Sequence, residues 1–142
     1  SGGTVGMYLS DKTKWLRRLD LEKDEIECMW LEIQIKNVNN FLGGRIYRPP
    51  TTSQYLPKKS NDTFSEVLDI INKEDIKCII LGDLNAFYIN GRDYKEIKHM
   101  IILDGFDQLI TKPTRTAFDS STLIDVVLSN KKVNISNTDV FP

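Results

Sequence analysis

The sequence predicts a layered α/β fold built on a mixed sheet. Three observations predict it. Several segments alternate apolar and polar residues as strands do, two segments have helical character, and one short uninterrupted apolar run has the form of a buried strand. Nothing in the 142 residues repeats, and no low-complexity tract or linker divides them, so one domain over residues 1–142 is expected.

Residues 4–9 follow a glycine pair and read as a short strand; residues 10–24 are polar. Residues 26–35 are strand-like, and their second half sets Leu31, Ile33 and Ile35 against Glu32 and Gln34. Residues 41–47 read as the next strand, joined to the previous one by the Asn-rich turn at 37–40. Gly43-Gly44 inside it predicts a bulge or a close backbone approach, and Pro49-Pro50 ends it. After a polar loop at 51–62, Thr63-Phe64-Ser65-Glu66 has the form of a capping box. Phe64, Val67, Leu68 and Ile71 then share one helix face. Residues 77–81 are a compact apolar run bounded by Gly82, hence a buried strand and then a tight turn. A loop over 83–93 leads to a second helix at 94–103. Residues 106–110 are extended, and strands are expected at 123–128 and 133–135.

Composition narrows the function. The hydrophobic share of 40% is enough for a core, and a formal net charge of -1 argues against tight non-specific binding to a polyanion. Cys28 and Cys78 lie inside apolar runs and read as buried, reduced thiols. With His99 as the one histidine, a zinc site is not expected. No apolar stretch is long enough for a transmembrane helix, so no membrane partner is expected. Ser1-Gly2-Gly3 lacks the basic and apolar regions of a secretory signal, which predicts an intracellular protein of nucleus or cytoplasm. His99, Trp15 and the cations Lys12, Lys14, Arg17 and Arg18 around it read as surface or packing residues.

Four segments can carry chemistry. In Gly82-Asp83-Leu84-Asn85, two polar side chains follow a buried strand two residues apart and so point the same way. Asp83 can orient and deprotonate a water; Asn85 can bond a phosphate oxygen or a metal-bound water. An Asp-containing turn capped by Asn has the same sequence. In Tyr47-Arg48-Pro49-Pro50 the diproline fixes Tyr47, whose hydroxyl suits a developing phosphorane charge, and Arg48 can pair with a phosphate. The alternative is an aromatic packed on the prolines beside a solvated arginine. Asp125 sits in the apolar run Leu123-Ile124-Asp125-Val126-Val127-Leu128, where it needs a partner unless it faces solvent. Lys112-Pro113-Thr114-Arg115-Thr116 is a basic, hydroxyl-rich turn: a nucleic-acid backbone contact through Thr114 and Arg115, or a plain polar loop.

The order of these motifs carries more than any one of them. Gly2-Gly3, Tyr-Arg-Pro-Pro, a helix, Gly-Asp-Leu-Asn, Gly105-Phe106-Asp107-Gln108-Leu109-Ile110, Pro-Thr-Arg and Leu-Ile-Asp-Val-Val-Leu-Ser follow one another over residues 1–135. In this order they resemble the endonuclease/exonuclease/phosphatase (DNase I-like) superfamily, and within it the endonucleases of retrotransposons without long terminal repeats. The resemblance implies a four-layered α/β sandwich, here incomplete at both ends. It implies Mg²⁺-dependent hydrolysis of a DNA phosphodiester, with Asp83 and Asn85 at the metal. Asp83 activates the attacking water, Asn85 helps hold the phosphate, Tyr47 hydrogen-bonds it, and Asp125 orients a histidine. DNA is the implied substrate, and a reverse transcriptase domain is implied on the same polyprotein.

Two departures qualify this. The family places an Asn and a metal-binding Glu on strands before the glycine pair, and a Ser-Asp-His motif after the last strand. None of these occurs in the 142 residues, and Thr138-Asp139-Val140 is not a substitute. The chain is therefore expected to be an internal piece of such a domain, marginal in stability and poor or inactive in hydrolysis by itself. The alternatives are a degenerate domain that keeps the fold core without catalysis, and a superfamily phosphatase acting on a small or lipid substrate.

Overall fold

The asparagine-rich turn closes a hairpin. Strand β2 (Glu27–Gln34) pairs antiparallel with β3 (Phe41–Tyr47), and Asn37 takes up a left-handed conformation at φ 63° in the connection. The computed structural model describes residues 5–50, 52–54, 59–85, 92–118, 120–130 and 133–137. Gly2, Gly3 and Thr4 lie outside the described residues, as do 86–91 and 138–142. A crossover through helix α1 (Ser60–Lys73) brings β4 (Lys77–Asp83) parallel to β3. Such parallel pairing requires a long connection, commonly a helix. Helix α2 (Arg92–Leu103) then leads to β5 (Phe106–Gln108), a small hairpin β6 (Arg115–Ala117) and β7 (Ser120–Thr122), and β8 (Asp125–Asn130). With the four-residue edge strand β1 (Lys14–Arg17), six strands form a mixed sheet in the order β1-β2-β3-β4-β8-β5.

Both helices pack on one face of this sheet. Phe64, Val67, Leu68 and Ile71 of α1 and Ile97 and Ile101 of α2 meet Trp30, Leu42, Ile46, Cys78, Ile80, Val126 and Leu128 in one cluster. Every second residue of the central strands contributes, as the period of a strand dictates. Asn130 closes the far end of the sheet: its side chain accepts from the Cys78 N–H at 3.1 Å and donates to the Ile76 carbonyl at 2.7 Å. Both cysteines are free; Cys78 is buried and Cys28 partly so.

Several expectations are corrected. Residues 5–9 form no strand, and neither do 133–135; no described strand pairs with either. Strand β1 lies in the stretch read as polar. All four of its side chains are exposed, so it carries no buried face and no readable alternation. Helix α1 starts three residues before the presumed capping box: Thr63 is buried inside the helix, and Lys59 at the N-cap offers no side-chain bond. The strand β4 runs on through Gly82 to Asp83, so Gly82 is a strand residue and not a turn. A Cβ there would stand 2.5 Å from Ile46 Cγ2; the glycine serves close approach of two strands. Gly44 likewise makes room for the Trp30 ring, whose Cε3 would lie 2.7 Å from a Cβ. The register past Gly43 and Gly44 is uninterrupted, so there is no bulge.

Candidate active site

The residues singled out in the sequence gather at one end of the central strands. In the parallel pair, Tyr47 is the partner of Asp83; in the antiparallel pair, Asp83 is the partner of Asp125. Adjacent strands lie about 4.8 Å apart. Tyr47, Asp83 and Asp125 therefore form a row on one sheet face, opposite the helices. Asp125 is the first residue of β8 and exposed, not an acid inside the strand, so its charge needs no buried partner.

Beyond β4 the chain turns sharply. Asn85 has φ 45°, and its N–H donates to Asp83 Oδ1 at 2.9 Å. Its Nδ2 donates to the Arg48 carbonyl at 3.2 Å. The turn is tied to the entry of β8 by Leu84 N–H, which donates to the Ile124 carbonyl at 3.1 Å. Thr114 organises that entry: its Oγ1 accepts from the Ile124 and Asp125 N–H groups, each at 3.2 Å. The next residue, Arg115, opens β6, is exposed, and acts electrostatically on Asp83. Pro-Thr-Arg is thus the stem of a hairpin docked on the row, where the sequence alone read a turn.

Arg48 is placed differently. Its side chain is buried on the helix side, with Nε donating to Asn61 Oδ1 at 3.1 Å and Nη1 to the Leu84 carbonyl at 3.3 Å. Expected to face a phosphate, it is instead engaged by the chain's own acceptors. Tyr47 and Arg48 line a cavity of about 170 Å³ with Glu27, Ser60, Asn61 and Phe64, but Asp83, Asn85 and Asp125 do not reach it. Asn61, read as part of a loop, was missed as Arg48's partner. An earlier helix start was the only signal that could have found it.

Electrostatically Asp83 favours a bound proton. Burial pushes the Asp83 carboxyl up from its ordinary value, the N–H of Asn85 opposes this, and the neighbouring Asp125 charge adds to it. The donors are all oxygen: two carboxylates and the Asn85 amide. Mg²⁺ binds such sets through one or two carboxylates, keeping waters and substrate phosphate in its other positions. Among the described residues no three acids, histidines or cysteines converge; Asp83 and Asn85, with Asp125 beside them in the register, are the oxygen donors this site would offer such an ion. The residues fit.

This mixed sheet with its helices has the α/β fold of the endonuclease/exonuclease/phosphatase, or DNase I-like, proteins. Among solved structures the chain is similar to the endonuclease domain of TRAS1, a telomere-specific non-LTR retrotransposon, with a TM-score of 0.66 at 11% identity over 87% of this chain and 58% of that one. It is also similar to TDP2 of D. rerio complexed with a single-strand DNA product (TM-score 0.50, 11% identity, 87% of this chain and 54% of that one). A mutant beta toxin of Staphylococcus aureus with bound magnesium ions gives a TM-score of 0.50 at 13% identity, over 77% of this chain and 43% of that one. The chain thus spans roughly half the length of these structures, 43% to 58%. No family model matches the sequence, and no curated protein matches it.

Proposed function

We propose that this chain carries the catalytic face of a Mg²⁺-dependent DNA endonuclease of the retrotransposon kind. One observation carries the reading: Tyr47, Asp83 and Asp125 are register partners on three adjacent strands, with Asn85 following at the strand end. The fold shared with the TRAS1 endonuclease domain supports it, and the motif order supports a reverse transcriptase domain on the same polyprotein. Within the site, Asp83 orients a water and takes its proton. The water oxygen bonds to phosphorus as one phosphate ester bond breaks, and the departing sugar oxygen is protonated from solvent. Burial, aided by the Asp125 charge, keeps the proton affinity of Asp83 above that of an ordinary aspartate, which suits a base. The Tyr47 hydroxyl donates to a non-bridging phosphate oxygen where charge develops. Asn85 fixes the phosphate from the other side, and Arg115 and Thr114 flank the DNA backbone. Asp83 and Asn85 would hold Mg²⁺, which when bound would supply charge neutralisation at the phosphate.

Supercoiled plasmid incubated with the 142-residue chain and Mg²⁺ tests this. Slow nicking is expected, with Asp83→Ala lowering it on the order of 100-fold or more. In parallel, Mg²⁺ should shift the NMR signals of Asp83 and Asn85. Nicking that survives both Asp83→Ala and EDTA would overturn the reading.

A further inference from the structure

Arg48 touches every residue of the Asp83-Leu84-Asn85 turn. Its N–H donates to the Asp83 carbonyl at 2.8 Å. Its Nη1 donates to the Leu84 carbonyl at 3.3 Å, and its own carbonyl accepts from Asn85 Nδ2 at 3.2 Å. Its Nε donates to Asn61 Oδ1 at 3.1 Å and so reaches the first turn of α1. Only 6% of Arg48 is exposed. A guanidinium buried this way is tolerated because carbonyl and amide oxygens satisfy its donors. It also lies on the helix side of the sheet, away from the face where the Tyr47–Asp83–Asp125 row stands.

We infer that Arg48 is a positioning residue that latches the Gly-Asp-Leu-Asn turn to the end of β3 and to the start of α1. Two consequences follow. Asn85 sits at φ 45°, a left-handed conformation that asparagine tolerates more readily than most residues and that surrounding contacts stabilise further. The latch supplies those contacts: backbone and side chain of one arginine grip the turn on both sides of Leu84. Tyr47, one residue before Arg48, is fixed by the same anchor, so one buried cation sets the nucleophile side and the phosphate side of the site together. The lysine ammonium places all its donors on one nitrogen and lacks the planar fork that spans Leu84 and Asn61, so it does not reproduce this bridge. The catalytic consequence rests on the proposed endonuclease function; the latch itself does not.

The test uses the 142-residue chain with Arg48→Met, Arg48→Lys and Asn61→Ala, read by amide hydrogen exchange and by nicking kinetics. Arg48→Met and Arg48→Lys should remove exchange protection at Asn85 and Leu84 while the β4 and β8 core amides keep theirs. Asn61→Ala should weaken the same protection partly. In nicking, kcat should fall on the order of 100-fold with KM unchanged, the signature of misplacement and not of lost contact. Full protection at Asn85 in a folded Arg48→Met chain would overturn the latch. So would a raised KM at unchanged kcat, because Arg48 would then be meeting the phosphate itself. Should Arg48→Met not fold, Arg48→Lys and Asn61→Ala decide: loosening of Asn85 in both supports the latch, and loosening in neither sinks it. If the unaltered chain shows neither nicking nor a Mg²⁺-dependent NMR shift at Asp83 and Asn85, the proposed function fails, while exchange at Asn85 still decides the latch.

Discussion

Asp83 holds its charge against partial burial and against the neighbouring Asp125, so its folded-state pKa lies above the unfolded one. The folded chain then binds the proton more tightly than the unfolded chain. Stability falls as pH rises from the ordinary aspartate range through the raised value, and the full cost persists above it. Asp83→Asn removes the charge yet keeps an oxygen for the Asn85 N–H. We expect this variant to melt above the parent at pH 7, by a small margin since the group is half exposed, and the margin to vanish below about pH 4. Nicking should be lost in the same variant, a trade of stability for activity. An Asp83→Asn chain that melts lower at pH 7 would show that the carboxylate is net stabilising. Asp83, Asn85 and Tyr47 were legible in the sequence because each follows or ends an apolar strand. That Arg48 turns inward was not, since adjacent residues on a strand face opposite sides and the sequence does not say which side the helices cover.

At the scale of elements, the central strands are shaped by two glycines. Gly82 lets β4 close on β3 beside Ile46, and Gly44 accepts the Trp30 ring. Alanine at 82 would press on the Ile46 backbone as well as its side chain, so the strands themselves must move. We expect Gly82→Ala to cost about 1–3 kcal/mol of unfolding free energy, as overpacking typically does, measured by urea denaturation. A loss below that range would mean that β3 and β4 separate freely. Nicking should suffer beyond the stability loss, because Asp83 is the next residue. The helix face of α1 was readable from its period alone. Its start was not, because capping signals compete with tertiary packing, and here burial of Ser60 and Thr63 wins.

The whole molecule is tied together at the end of the sheet away from the site. Arg18 donates to Asp20, to Glu74 at the C-cap of α1, and to Glu32 on β2, at 2.6–3.1 Å. One cation thereby joins the edge hairpin to the helix layer, and its side chain is only 13% exposed. Between an exposed pair and a buried one, Arg18→Met should cost about 1–2 kcal/mol at pH 7. Hydrogen bonding to Arg18 lowers the Asp20 pKa below its ordinary value. Its contribution is therefore present above the ordinary aspartate range and lost as pH falls through the lowered value. Denaturant melts at pH 7 and about pH 3 should show the gap between parent and variant narrowing in acid; a constant gap would assign the loss to packing alone.

The α/β class, the two helices, the central strands and the order of the motifs were determined by the sequence itself, because apolar period and strand-ending polar residues are local signals. Partnership was decided only by the tertiary structure. The sequence places Tyr47, Asp83 and Asp125 far apart along the chain, and only the register β3–β4–β8 makes them a row. The hairpin that carries Thr114 and Arg115, and the edge strand β1, bury too little to leave a period in the sequence. Strand β1 exists because β2 pairs with its backbone, and the hairpin is held where Thr114 Oγ1 accepts from the Ile124 and Asp125 N–H groups. Which face of the sheet carries the candidate site was likewise settled by the helices, whose packing on one side leaves Tyr47, Asp83 and Asp125 on the other.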